Sequence, residues 1–130
     1  MGYLKGYGLK SGAIATSISH DSHNIIAVGE NDEDMCLAIN LVIENHGGIA
    51  VVNKGQKVGE VKLEIGGLMS DTSLVEINEA LEEAKEAAFS LGVHRGIDPF
   101  MTLSFMSLPV IPSLRITTHG VFDVDRWKYI

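Results

Sequence analysis

Ala13-Ile-Ala-Thr-Ser-Ile-Ser19, His20-Asp-Ser-His-Asn24 and Ile25-Ile-Ala-Val28 follow one another near the start of the chain. The first piece alternates small and branched side chains and the third is a short apolar run. Both patterns belong to strands. The polar pentapeptide between them reads as a connecting loop. Outward from there, residues 49–52 form a third strand candidate. Residues 58–65 form a fourth, alternating through Val58, Val61, Leu63 and Ile65 with one slip at Gly59-Glu60. Asn53-Lys-Gly-Gln56 between them is a glycine-containing turn, so the two are expected to pair as a hairpin. Residues 114–118 are a candidate last strand. Residues 100–108 are apolar with Thr and Ser interspersed and fit helix and strand equally, and Pro109 and Pro112 end any regular structure beyond them.

Two segments carry helical spacing. Residues 32–44 have Met35, Ala38, Ile39, Val42 and Ile43 on one face, widened by Cys36, Leu37 and Leu41, so burial on more than one side is expected. Asn31 can cap this helix, and Asp32, Glu33 and Asp34 put negative charge at the positive end of its dipole. Asn45-His-Gly-Gly48 ends it, with glycine available for a left-handed cap. Residues 74–91 line up Leu74, Ile77, Leu81, Ala84, Ala88 and Leu91, with glutamates on the opposite face. Ser73 and Glu76 fit a capping box. Strands and helices together predict an α+β domain, a mostly antiparallel sheet with two main helices packed on it.

The 130 residues are the size of one domain. Ten Lys and Arg against seventeen Asp and Glu repel phosphate backbones, so nucleic acid is not an expected partner. No apolar run approaches the roughly 20 residues of a membrane span. The start Met1-Gly-Tyr-Leu-Lys5 lacks the apolar stretch of a secretory signal. A single cysteine, Cys36, cannot form an internal disulfide and suits a reducing, cytoplasmic setting. Its place on an apolar helix face predicts an inert, buried thiol.

Chemistry concentrates in the loop His20-Asp21-Ser22-His23-Asn24. Imidazole and carboxylate together are ligands for zinc, iron or manganese, and a loop can bend so that His20, Asp21 and His23 converge. The same groups can orient a substrate or pass protons. Against this stands a tight turn in which Asp21, Ser22 and Asn24 bond the local backbone. The spacing is weak as a metal signature, because His46, His94 and His119 are remote in sequence. Gly66-Gly67 has neither the Lys-Ser/Thr nor the strand–turn–helix setting of a phosphate loop and marks a turn or a close backbone approach.

Four ordered blocks resemble one known family. The first is Leu9-Lys-Ser-Gly-Ala-Ile-Ala-Thr-Ser-Ile-Ser-His-Asp-Ser-His-Asn-Ile-Ile-Ala-Val-Gly29 with Asn31-Asp-Glu-Asp-Met35. Then come Gly47-Gly-Ile-Ala-Val-Val52, Gly67-Leu-Met-Ser-Asp71, and Asp98-Pro-Phe-Met-Thr-Leu-Ser-Phe105 with Leu108-Pro-Val-Ile-Pro112. They resemble the C-terminal domain of adenine deaminase, and Gly120-Val-Phe-Asp-Val124 fits that family's ending. The resemblance implies a metal-dependent hydrolase of the amidohydrolase superfamily. Such an enzyme converts adenine and water to hypoxanthine and ammonia in purine salvage, with manganese or iron as its metal.

The metal-binding barrel that precedes this domain in the family is not in the sequence, since 130 residues cannot make a barrel of roughly 250. The resemblance therefore implies an accessory domain whose catalytic barrel is supplied in cis or in trans, inactive by itself. His20, Asp21, His23 and Asn24 then become candidates for a loop facing the barrel mouth. A surface built to dock leaves apolar area, so a homo-oligomer is expected. Two alternatives stay open: a free-standing module binding a purine or a metal, and a structural oligomerisation domain using residues 100–112 and Trp127.

Overall fold

The computed structural model describes residues 1–20 and 22–130. The strands are β1 Ala13–Thr16, β2 Ile26–Gly29, β3 Gly48–Asn53, β4 Gln56–Lys62, β5 Leu114–Thr117, β6 Gly120–Asp123 and β7 Lys128–Tyr129. The helices are α1 Asp32–Glu44, α2 Leu74–Ser90 and α3 Pro99–Ser104, the last followed by a 3-10 turn, Phe105–Ser107. The fold class is α+β. Among the described residues the strands form two antiparallel sheets, with orders β2-β1-β3-β4 and β5-β6-β7.

Alternation in the central strands gives the larger sheet two buried faces. Ile14 stands beside Val51, and with Val61, Leu63, Ala84, Ala88, Phe100 and Leu103 forms the core under α2 and α3. On the other face Ala13, Ala15, Ala50 and Val52 meet Ala38 and Val42 of α1. Small side chains on both partners let this helix lie close to the sheet. Ile14 is fully buried, so truncating it to Ala is worth about 2–5 kcal/mol.

Helix α1 starts and ends where local chemistry places it. The Asn31 side chain accepts from the N–H of Asp34 at 2.8 Å. At the other end Gly47 N–H reaches Val42 C=O at 2.9 Å and His46 N–H reaches Ile43 C=O at 3.0 Å, a Schellman closure. The left-handed position is held by His46 (φ 58), not by the glycines expected there. Because only Ala38 and Val42 of the apolar positions are fully covered by the sheet, with Met35, Leu37, Ile39 and Leu41 half-buried beside them, Cys36 is exposed and Ile43 is 56% exposed. The expectations of a buried thiol and a widely buried helix are thereby corrected.

Helix α2 carries the full capping box of Ser73 and Glu76. Ala84, Ala88 and Leu91 are buried, whereas Leu74 projects into solvent at the helix start. The hairpin turn between β3 and β4 has positive φ at both Lys54 and Gly55, a type I′ geometry that matches strand twist. A bulge lies opposite Val51/Val52, which throws Val58 outward, and β4 ends at Lys62, so Ile65 is exposed rather than part of the strand. Residues 100–104 are helical because Asp98 caps the Phe100 and Met101 N–H groups and Pro99 occupies the first turn.

Gly48 opens β3 with φ 131, and a side chain there would overlap the Val61 carbonyl across the β3–β4 ladder. Gly47 lies against the Gly67 backbone in the same way, which bears out the close-approach reading of the glycine pair. The Ser17 hydroxyl sits beneath them: it donates to Gly67 C=O at 2.6 Å and accepts from Gly48 N–H at 2.8 Å. The turn carrying Leu68 and Met69 is thus tied to the end of β1, next to the His20–Asn24 connection.

Candidate functional site

The loop between β1 and β2 leaves the sheet at Thr16, whose hydroxyl accepts the Ile18 N–H at 3.0 Å and turns the chain. Ser19 is buried, and its hydroxyl is 2.6 Å from that of Ser22 and 2.7 Å from that of Ser107. The backbone N–H of His20 donates to Ser104 C=O at 3.2 Å, and its ring stacks on Phe105 with centroids 5.4 Å apart. His23 closes the turn by donating its N–H to Ser19 C=O at 3.2 Å, with φ at 49. The loop is therefore pinned to α3 and the 3-10 turn, the segment whose composition fits helix and strand equally.

Two depressions flank the pinned loop. His20 and His23 line one of about 260 Å³ together with Ile18, Leu68, Met101 and Ser104. Ser22 and Asn24 line another of about 230 Å³, which lies between Ile25–Ala27 and Ile116–Thr118 with Ser19 and Ser107 in its wall. Of the sequence candidates, then, the two histidines share one side and Asn24 falls on the other. Asp21 lies outside the described residues.

Ser22 bonds the Ser19 and Ser107 hydroxyls and not the local backbone that the turn reading assigns to it, and both imidazoles remain on the exposed surface. Folding brings His46, His94 and His119 into no ligand set with them: among the described residues no three His, Cys, Asp or Glu side chains gather. Catalytic metal sites use at least three protein ligands. The described residues therefore do not by themselves fit a metal.

Ile18, Leu68 and Met101 are the apolar side chains that line the depression with the histidines. Leu68, Met69 and Met101 are 47%, 60% and 44% exposed. The sequence blocks at residues 9–29, 47–52, 67–71 and 98–105 all meet at this end of the sheet, through Ser17, Gly47, Gly67 and Ser104.

A comparison with known families decides what this arrangement belongs to. The family described as the adenine deaminase C-terminal domain matches residues 1–128. The chain belongs to that family. It is 48% identical over 130 residues to the adenine deaminase of Bacillus subtilis (strain 168), and 51% identical over 133 residues to that of Leuconostoc citreum (strain KM20). Each match takes in all of this chain but only 22% and 23% of the relative, so the chain spans about a fifth of the length of the curated relatives. Among the described residues of this adenine deaminase C-terminal domain, no helix is long and apolar enough to cross a membrane.

The residues that sequence reasoning passed over here are Ser19, Ser104, Phe105 and Ser107. For the serines a signal was present: Ser104 and Ser107 are hydroxyls three apart in a mostly apolar run, and buried polar groups require partners.

Proposed function

We propose that this chain is the accessory domain of an adenine deaminase whose catalytic barrel is a separate segment, joined in cis or in trans. Within that enzyme the His20–Asn24 loop and its apolar rim face the barrel. The observation that carries this reading is the placing of His20 and His23 beside exposed Leu68 and Met101, in a chain of this family. Large apolar side chains beside two imidazoles, Ile18, Leu68 and Met101, suit a surface that excludes water when covered.

The reaction of the whole enzyme is adenine and water to hypoxanthine and ammonia, in the cytoplasm and serving purine salvage. Its metal, manganese or iron, is held by the barrel, where such an ion brings the pKa of bound water toward neutrality. The domain's own part is to orient the purine or a barrel loop through His20, Asp21, His23 or Asn24. Uncovered, the same rim favours homo-oligomers.

The test is alanine replacement of His20 and His23 in the complete enzyme. The expected result is a loss of kcat/KM on the order of 10- to 100-fold. Unchanged kinetics and metal content overturn the reading. Release of ammonia from adenine by this chain alone, with metal supplied, overturns the assignment of catalysis to another segment.

A further inference from the structure

We infer that Ser107 and Ser19 are positioning residues: they form a one-way hydroxyl chain that sets where the His20 and His23 rings stand. The inference rests on the reading that this loop faces the reacting partner, and it goes further by naming what holds the loop.

The direction of the chain is set by proton counting. A serine hydroxyl has one proton to donate. Ser107 donates its proton to Ser104 C=O at 3.1 Å. In the 2.7 Å contact between Ser107 and Ser19 the donor is therefore Ser19. That uses the proton of Ser19, so in the 2.6 Å contact with Ser22 the donor is Ser22, whose one proton also has the Ser107 hydroxyl as a longer second acceptor at 3.4 Å. The order is Ser22 to Ser19 to Ser107 to the Ser104 carbonyl, and the same carbonyl accepts the His20 N–H.

Linked hydroxyls polarise one another, and Ser19 and Ser107 are both more than nine-tenths buried, so water competes little for either. The chain ends on both sides of His20: at Ser19 and Ser22 within the loop, and at Ser104 opposite. His23 hangs from the same frame through Ser19 C=O. With the terminal proton committed inward, Ser22 offers only acceptor capacity to the cleft it lines.

Two experiments separate this inference from the reading beneath it. In the complete enzyme, Ser107→Ala is expected to lower kcat on the order of 10- to 100-fold with little change in KM, since a misplacement near 1 Å has that effect. Ser107→Thr keeps the hydroxyl and adds a methyl at a residue that borders the cleft, so it is expected to restore kcat.

In the 130-residue chain, Ser107→Ala is expected to shift the imidazole NMR signals of His20 and His23 while His46, His94 and His119 stay in place. Exchange of the His20 and His23 amide hydrogens is expected to rise roughly three- to tenfold. If His20→Ala or His23→Ala lowers kcat but Ser107→Ala does not, or if Ser107→Thr is as damaged as Ser107→Ala, the positioning role is wrong and the functional reading stands. If the histidine variants leave kcat unchanged, the functional reading is wrong. The positioning role is then decided by the NMR arm, and unmoved ring signals with unchanged exchange overturn it.

Discussion

The carboxylate of Asp34, in the first turn of α1, accepts the backbone N–H of Gly55 at 2.8 Å, in the turn that joins β3 to β4. It also accepts from Lys54 N–H at 3.2 Å and from the Asn31 side chain at 3.0 Å. One side chain thereby holds a helix start and a hairpin turn in register, although the sequence shows it only as one of three acids at a helix N-terminus.

Acid unfolding is expected to report this clamp. The Asn31 amide first, and the Gly55 and Lys54 N–H groups with it, hold the Asp34 carboxyl below the ordinary aspartate range. A lowered folded-state value means that the stabilisation is complete above the unfolded value and disappears as pH falls through the folded one. Thermal melts of the parent chain and of Asp34→Ala should differ most above the ordinary aspartate range and draw together as pH falls below it. A gap that persists unchanged at the acid end would contradict the clamp.

His46→Gly is expected to stabilise the chain by about 0.5–1 kcal/mol, because the left-handed Schellman position of α1 is occupied by a residue with a Cβ. The side chain is exposed, so little packing is lost. Urea denaturation is the measurement, with His46→Ala as the control that keeps the Cβ. Equal midpoints for the two variants would show that the backbone there carries no strain.

The elements legible in the sequence are those whose ends are decided locally. Asn31, and Ser73 with Glu76, mark the starts of α1 and α2 through bonds to residues three positions on, so both helix starts fall where the spacing puts them. What was not legible depends on partners far along the chain. Cys36 and Leu74 share helical spacing with core residues, yet only the sheet's position decides which stripe is covered. Strand β6 has just Val121 and Phe122 as apolar residues, too few for a period. At the candidate site the pentapeptide His20-Asp-Ser-His-Asn24 is visible, whereas its support, Ser104 and Ser107, lies some 85 positions away and becomes apparent only once Ser19 and Ser107 touch.

Gly48→Ala is expected to cost about 3 kcal/mol or more, since it combines a positive φ with overlap on the Val61 carbonyl, and neither backbone can give way without opening the ladder. Gly66→Ala separates the two contributions. Gly66 has φ 65 but open space where a Cβ would go, so its loss is expected to be only about 1 kcal/mol. Similar losses for the two would mean that crowding at β4 contributes nothing.

Tyr7 straps the N-terminal segment over the α3 side of the core: it is 3% exposed, its hydroxyl donates to Pro99 C=O at 2.7 Å, and its own C=O accepts the His94 N–H at 3.1 Å. Tyr7→Phe keeps the ring and removes the bond to Pro99 C=O, which as the first carbonyl of α3 still accepts within the helix, so the change is expected to cost about 0.5–1.5 kcal/mol. Burial, reinforced by the charge of Asp98, pushes the Tyr7 hydroxyl well above the ordinary tyrosine value of 10. An acid whose folded-state value is raised contributes stability that is fully present below the unfolded value and falls away as pH climbs beyond it. The parent chain should therefore lose stability from about pH 10 upward, and Tyr7→Phe, with nothing to ionise at that position, should lose less over the same interval. Denaturation midpoints at pH 8 and pH 11 for both proteins check this, and parallel losses would place the phenol outside the core.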